Sequence, residues 1–417
     1  MSNSVSYLKY RDVADFRNGL NFSKDSYGKG CLLIGVADFK DYFSPKWASL
    51  GEINPFDVVK EDDYLKKGDI IFVRSNGNKA LVGRSLYIDR DVKSLFSGFC
   101  IRARPKTDDF YPLFLAYFSK TERFGSSINS VAGTNINNLN QYILGNVEIP
   151  FYSKDTQKSI VDVLSSIDKK IEINNRINAE LESMAKMLYD YWFVQFYFPD
   201  ANGKPYKTSG GKMVYNAVLK REIPAGWKIG NASELFNFNP LTSLKTGSLA
   251  SYIDMDSLPV KGFMTKKIQK KEFAGGTKFI KNDVAVARIT PCLENGKTGL
   301  MSKLKEGEVG FGSTEFIILR GKEISLSGFG ACLARSDSFR QFAISNMTGT
   351  SGRKRIESKI LETYTLPIPS KNLLMKFENI VQPFFDIMTS KSIENDELTA
   401  LRDWLLPLLM NGQVTVK

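Results

Sequence analysis

The sequence predicts a mixed α/β (α+β) chain organised as a pseudo-symmetric repeat, with two globular regions separated by two long helices that pair as an antiparallel coiled coil. Three observations lead to that prediction. The segment Gly68-Asp69-Ile70-Ile71-Phe72-Val73-Arg74 returns 214 positions later as Asn282-Asp283-Val284-Ala285-Val286-Ala287-Arg288, each followed by a loop bearing Gly, Asn and Lys. A fixed-period echo of this kind marks a duplicated supersecondary unit. Ile149-Pro150 and Ile368-Pro369 each precede a long segment of heptad apolar spacing. The regions ahead of them carry short β-like runs, Asp69 to Val73, Ser97 to Ile101, Asp283 to Ala287 and Glu315 to Leu319, punctuated by Gly, Asn and Ser.

The elements follow in order. Residues 1–150 form the first globular region and 151–198 the first long helix with an aromatic end. Its seam is Ile160, Leu164, Ile167, Ile171, Asn174, Asn178, Leu181, Ala185 and Leu188, in steps of four and three. Sustained over four heptads, that alternation is a coiled-coil seam rather than an ordinary amphipathic face. At about 1.5 Å per residue, Thr156 to Tyr191 makes a rod roughly 50 Å long. Residues 199–221, with Pro199 to Pro205 and Ser209-Gly210-Gly211, read as an exposed linker or hairpin, and 222–369 form the second globular region. The second long helix occupies 370–417, with a seam of Ile380, Phe384, Ile387, Lys391, Glu394, Leu398, Leu401, Leu405 and Leu408. Ser153 or Asp155 caps the first helix and Ser370 or Asn372 the second. Pro383 requires the second helix to start or bend there. Both seams turn polar at matching places, Asn174 and Asn178 against Lys391 and Glu394, as in coiled coils whose register is fixed by buried polar pairs.

The chain has 417 residues, a formal charge of +12 and no histidine. Without histidine, Ser-His-Asp and Cys-His catalysis and His-ligated metals are excluded. Cys31, Cys100, Cys292 and Cys332 lie far apart with no C-x-x-C pair, so neither a zinc ribbon nor a disulfide framework is expected. The charged first twenty residues lack a signal-peptide core, and no stretch has the apolar length of a membrane span. A cytoplasmic protein without a membrane partner is the expectation. Its positive excess points to nucleic acid. That excess is +3 in 1–150, +3 in 151–221 and +7 in 222–369, against −1 in 370–417.

Two loop clusters recur in both halves. Arg74, Asn76, Asn78, Lys79 and Arg84 follow the first repeated strand, and Arg288, Thr290, Asn295 and Lys297 follow the second. Guanidinium, ammonium and amide groups on Gly-containing loops suit base edges in the major groove. Thr134 and Asn135 in the first half, and Arg353, Lys354 and Arg355 in the second, lie beside glycines and suit phosphate contact. Catalytic motifs fail in comparison. Gly296-Lys297-Thr298 lacks the first P-loop glycine, with Pro291 in its place. Asn54-Pro55-Phe56-Asp57 lacks the second proline of an adenine-methyltransferase motif, and Glu357-Ser358-Lys359 lacks a nuclease's upstream Pro-Asp.

Five segments carry a resemblance to a known family. They are Leu164 to Asn178 (LSSIDKKIEINNRIN), Tyr191 to Phe196 (YWFVQF), Ile223 to Lys228 (IPAGWK), Gly312 to Phe316 (GSTEF) and the ending Leu401 to Val414. In this order and spacing the chain resembles, over essentially its whole length, the specificity (S) subunit of type I restriction-modification systems. The resemblance implies two target-recognition domains, each reading half of a bipartite site in double-stranded DNA, with the coiled coil as the ruler between them. It implies a subunit without chemistry or cofactor of its own, within a type I site-specific deoxyribonuclease and adenine-N6 methyltransferase complex. Two modification subunits would bind S-adenosylmethionine, and restriction subunits would bring ATP and Mg. Trp192, Phe193 and Phe196 would then dock the modification subunits. Two other classes are weighed against this: a stand-alone nuclease or single-chain restriction enzyme, and a coiled-coil adaptor that binds only proteins.

Overall fold

The computed structural model describes residues 6–40, 43–55, 59–132, 138–350 and 352–416. The chain forms two compact units, Met1–Lys169 with Thr399–Lys417, and Lys170–Leu398. Both are mixed α/β, and both repeat one strand plan.

In the first unit the strands are β1 (Ser6–Lys9), β2 (Ala14–Asn18), β3 (Tyr27–Ile34), β4 (Gly51–Ile53), β5 (Ile70–Val73), β6 (Ser85–Tyr87), β7 (Ser94–Phe96), β8 (Cys100–Pro105) and β9 (Glu148–Phe151). In the second they are β10 (Met213–Asn216), β11 (Arg221–Pro224), β12 (Lys228–Asn231), β13 (Phe236–Phe238), β14 (Leu249–Ile253), β15 (Gln269–Glu272), β16 (Thr277–Ile280), β17 (Val284–Ala287), β18 (Thr298–Leu300), β19 (Val309–Gly312), β20 (Phe316–Gly321) and β21 (Thr365–Ile368). The main sheet runs β2-β8-β5-β6 in one unit and β13-β20-β17-β18 in the other. The repeated segments of the sequence are its inner strands β5 and β17. All eight of their residues are buried, so they read as unbroken apolar runs rather than alternating ones. The smaller sheets also match: β3 pairs antiparallel with β4 and parallel with β7, and β14 pairs antiparallel with β15 and parallel with β19. Each unit is closed by a ribbon, β1 with β9 and β12 with β21. The β10–β11 hairpin straddles the end of the stretch read as linker or hairpin, with β11 running on to Pro224.

One buried ion pair is built identically twice. Asp69, at the entry to β5, accepts two bonds from Arg104 on β8, at 2.8 and 2.7 Å. Asp283, at the entry to β17, accepts two from Arg320 on β20, also at 2.8 and 2.7 Å. Each aspartate also accepts a backbone N–H of its own turn, from Lys66 and from Ile280. This bidentate geometry satisfies most of the lone pairs of a buried carboxylate, as such a site requires.

The central helix runs Lys154–Tyr189 and the distal helix Lys371–Met410. Of the alternative caps, Ser153 and Ser370 accept the backbone N–H groups of Thr156 and Leu373, each at 3.3 Å. The distal helix neither starts nor breaks at Pro383; it passes through it. Pro383 is exposed, where a carbonyl robbed of its N–H donor is solvated. Within each unit the two helices run antiparallel. In the first, Tyr152 bonds the Met410 carbonyl and Asp168 pairs with Arg402; in the second, Asn174 bonds Glu394 and the Tyr189 ring meets Phe377. Among the described residues no helix is long and apolar enough to cross a membrane.

The seam of the distal helix differs from the predicted one. Ile380, Ile387 and Leu401 are exposed, Phe384, Leu398, Leu405 and Leu408 are half-buried, and the buried positions are Phe377, Val381, Phe385, Met388, Leu406 and Leu409. The register is shifted by one residue, because apolar residues sit side by side here, as in Ile380-Val381 and Phe384-Phe385, and spacing alone does not choose between them. On the central helix Ile160, Leu164, Ile167, Asn174 and Ala185 are buried, and Ile171, Asn178, Leu181 and Leu188 half-buried. Asn174, 0% exposed, donates to Glu394 at 3.0 Å and to Asn395 at 2.9 Å. The hydrogen bond from Lys391 holds the Glu394 carboxyl below its ordinary range.

The docking assignment of Trp192, Phe193 and Phe196 is also corrected. A π-helical turn, Asp190–Val194, ends the central helix and aims Trp192 and Phe193 at the core of the second unit. All three are buried: Phe193 packs on Phe329 and Phe377, Trp192 on Phe377, and Phe196 on Trp227. Close by, Glu378 is buried and accepts the backbone N–H groups of Gly328 (3.1 Å) and Phe329 (2.7 Å) at the start of helix Ser327–Arg335. Burial pushes its pKa up to about 7, although those two donors oppose the shift. With the folded value above the unfolded one, its contribution to stability is complete below about pH 4.5 and is lost as pH rises through about 7, some 3 kcal/mol in all. In Glu378→Gln the fall in thermal stability between pH 5 and 8 should therefore flatten; an unchanged slope would assign it to other groups.

Candidate nucleic-acid interface

In each unit the end of the repeated strand is held in one backbone frame. Arg74 donates its N–H to the Phe99 carbonyl (2.8 Å) and accepts from Leu139 (2.8 Å). Arg288 donates to the Glu315 carbonyl (2.9 Å) and accepts from Ile356 (3.0 Å). Single antiparallel bridges, Ser75 to Asn138 and Ile289 to Arg355, extend both frames. The return of the loop is matched as well, Val73 N–H to the Arg84 carbonyl and Ala287 N–H to the Lys297 carbonyl. Arg74 thus corresponds to Arg288, Arg84 to Lys297, Phe99 to Glu315 and Asn138 to Arg355.

This frame unites clusters that are far apart in sequence. In the second unit Thr290 donates its N–H to the Lys354 carbonyl at 3.0 Å and accepts the Lys354 N–H on its hydroxyl at 3.1 Å. Base-reading and phosphate-contacting candidates therefore form one surface there. Arg353 and Lys354 are exposed. Arg355 binds Glu315 through Nε and Nη2, at 2.9 Å each, and that bond raises the guanidinium pKa further. Arg288 Nε lies 3.9 Å from the same carboxylate. In the first unit Thr134 and Asn135 lie outside the described residues, and the frame at Asn138 is the described edge of their loop.

Several candidates have structural duties. Asn76 accepts the Asn78 N–H (2.8 Å) and Asn78 accepts that of Ala80 (3.1 Å), so both amides shape the loop that presents Lys79. Asn295 and Lys79 are exposed and Arg84 is half-buried. Lys297 donates to the Met255 carbonyl and to Asp256, each at 2.9 Å, and holds the Asp256 carboxyl below its usual range. Its ammonium braces the loop and is not presented to a ligand. Sequence reasoning passed over Phe99, for which no motif signals, and gave no role to Glu315 within its motif.

Residues 5–183 match the family model described as type I restriction modification DNA specificity domain. The specificity subunit of the type I restriction enzyme MjaIX of Methanocaldococcus jannaschii is 27% identical over 73% of this chain and 69% of its own length. That of HindI of Haemophilus influenzae is 24% identical over 84% and 87%. The chain is similar to type I restriction enzyme specificity subunits over most of its length. The fold agrees: the crystal structure of a type I S subunit from M. genitalium superposes with a TM-score of 0.58 over 98% of this chain and 97% of that one, at 17% identity. The duplicated frame around Arg74 and Arg288 is a feature that both halves of this chain present alike.

Proposed function

We propose that the chain is a specificity subunit that reads a bipartite site in double-stranded DNA, one half with each target-recognition domain, 1–150 and 222–369, and carries out no chemistry itself. The observation that carries the reading is the repeated frame, which sets an arginine, Arg74 or Arg288, at the same strand end twice, beside a loop edge bearing polar or cationic residues. Bidentate guanidinium contact with guanine is the commonest specific contact in the major groove. The two long helices act as the spacer between half-sites and as the scaffold for two modification subunits and for restriction subunits. In that assembly S-adenosylmethionine belongs to the modification subunits, which extrude the target adenine, and ATP with Mg to the restriction subunits.

The test is to co-purify the chain with the modification subunit, treat DNA with the complex and S-adenosylmethionine, and sequence for methylated adenine. A split motif methylated in both halves is expected. Mg-dependent cleavage by this chain alone would replace the reading with a nuclease, and an absence of salt-dependent DNA affinity would replace it with a protein adaptor. Two variants separate the roles. Arg353→Ala should weaken all sequences alike and reduce the slope of log affinity against log salt by about one. Arg288→Ala should relax one half-site alone, by about 1–3 kcal/mol of discrimination. A randomised-site selection with an unchanged motif would remove Arg288 from the reading surface.

A further inference from the structure

The frame that aligns Arg74 with Arg288 also aligns two residues of opposite chemistry, Phe99 and Glu315. The Phe99 carbonyl accepts the N–H groups of Arg74 (2.8 Å) and Ser75 (3.4 Å), so its Cα is fixed beside the arginine. Phe99 is 57% exposed, the most exposed phenylalanine among the described residues, while Cys100 and Ile101 immediately after it are fully buried. A lone exposed apolar side chain is ordinary on a surface. This one occupies the position that the other half gives to a carboxylate gripping Arg355 and facing Arg288. Asn138 stands where that half has Arg355.

The geometry points to Phe99 as a specificity-determining residue of the first domain, making apolar contact with the 5-methyl group of a thymine in its half-site. This rests on the DNA-reading function proposed above. Among the base-edge groups of the major groove, the thymine methyl is the one that a phenyl ring recognises without a hydrogen bond. Arg74 and Asn138, at the edges of the same frame, supply the polar contacts that hold the duplex against the ring. The loop bearing Phe99 is only Ser97-Gly98-Phe99, between β7 and β8, and its glycine is packed against Asn21, so the ring is presented from a short, braced turn rather than a mobile arm. In the second domain Glu315 excludes such a contact and orients two guanidinium groups instead. The two half-sites are accordingly read by different chemistries on one backbone.

The experiment uses the full chain in complex with its modification subunit and a library of duplexes with both half-sites randomised. The parent should select a motif with one strictly required thymine in the first domain's half-site. Phe99→Ala should reduce the preference at that position to within about twofold of the other bases and leave the second half-site intact, and Phe99→Leu should retain part of it. Deoxyuridine in place of that thymine should weaken the parent about fourfold, the worth of one buried methyl group, and should have no effect on Phe99→Ala, since the two changes remove the same contact. An identical motif for parent and Phe99→Ala overturns the assignment while leaving the reading function in place. Relaxation without sensitivity to deoxyuridine overturns the methyl contact. A parent that selects no motif overturns the reading function and this inference with it.

Discussion

Phe377→Ala is expected to lower the unfolding free energy of the second unit by about 3–5 kcal/mol, whereas Ile380→Ala, three residues further along the distal helix, should cost less than about 0.5 kcal/mol. Phe377 is fully buried and its ring meets those of Tyr189, Trp192, Phe193 and Phe329. Four aromatic walls do not close over the space that alanine leaves, so the cavity term adds to the lost transfer energy. Ile380 is 42% exposed and buries too little to matter. Urea unfolding followed by circular dichroism decides between the two registers of the helix. Equal losses for both variants would restore the seam through Ile380.

Arg320→Ala should cost about 3 kcal/mol, because it leaves Asp283 buried without its counter-charge. Arg320→Lys should recover only part, since a point cation does not reproduce both parallel bonds. Burial already pushes the Asp283 carboxyl above its ordinary value in spite of Arg320. Without the guanidinium that shift grows, so the loss should shrink as the pH falls from 8 into the acid range. Arg104→Ala should cost a similar amount in the first unit, because its pair with Asp69 has the same geometry. A loss under about 1 kcal/mol in thermal or urea unfolding would mean that water replaces the arginine freely.

The repeat was legible because buried inner strands tolerate few residue types, and Ile70 to Val73 and Val284 to Ala287 are such strands. The clamps were half visible: Asp69 and Asp283 lie in the repeated segment, but their arginines are brought to them by pairing of β8 and β20. Nothing local marks Arg104 or Arg320. The central seam was readable because Ile167, between Ser166 and Asp168, and the polar Asn174 fix its phase, whereas doublets such as Ile380-Val381 and Phe384-Phe385 hid the distal one. Aromatic residues at the helix end look alike whether they face a partner or a core, and the π-helical turn that settles Trp192 and Phe193 leaves no trace in composition. Lys297 read as a ligand-facing cation because its acceptors, Met255 and Asp256, come from some forty residues earlier. Phe99 and Glu315 acquire meaning only once the two frames are laid over each other.

The first unit is completed by a segment from the far end of the chain. Its core takes Leu406, Leu409 and Met410 from 399–417, set against Ile160, Val161 and Leu164, and Arg123 bonds both Tyr7 and Asn411. The second unit is one uninterrupted stretch. On a ribosome, therefore, the part synthesised first is finished last. At about 5–20 residues per second, residues 1–169 wait roughly ten to fifty seconds for their closing helix, with the core that Leu406, Leu409 and Met410 share left incomplete throughout. In a nascent chain that interval is when the protein most needs a chaperone, and a ribosome that stalls before residue 399 leaves a finished second half joined to a first half that has no way to close.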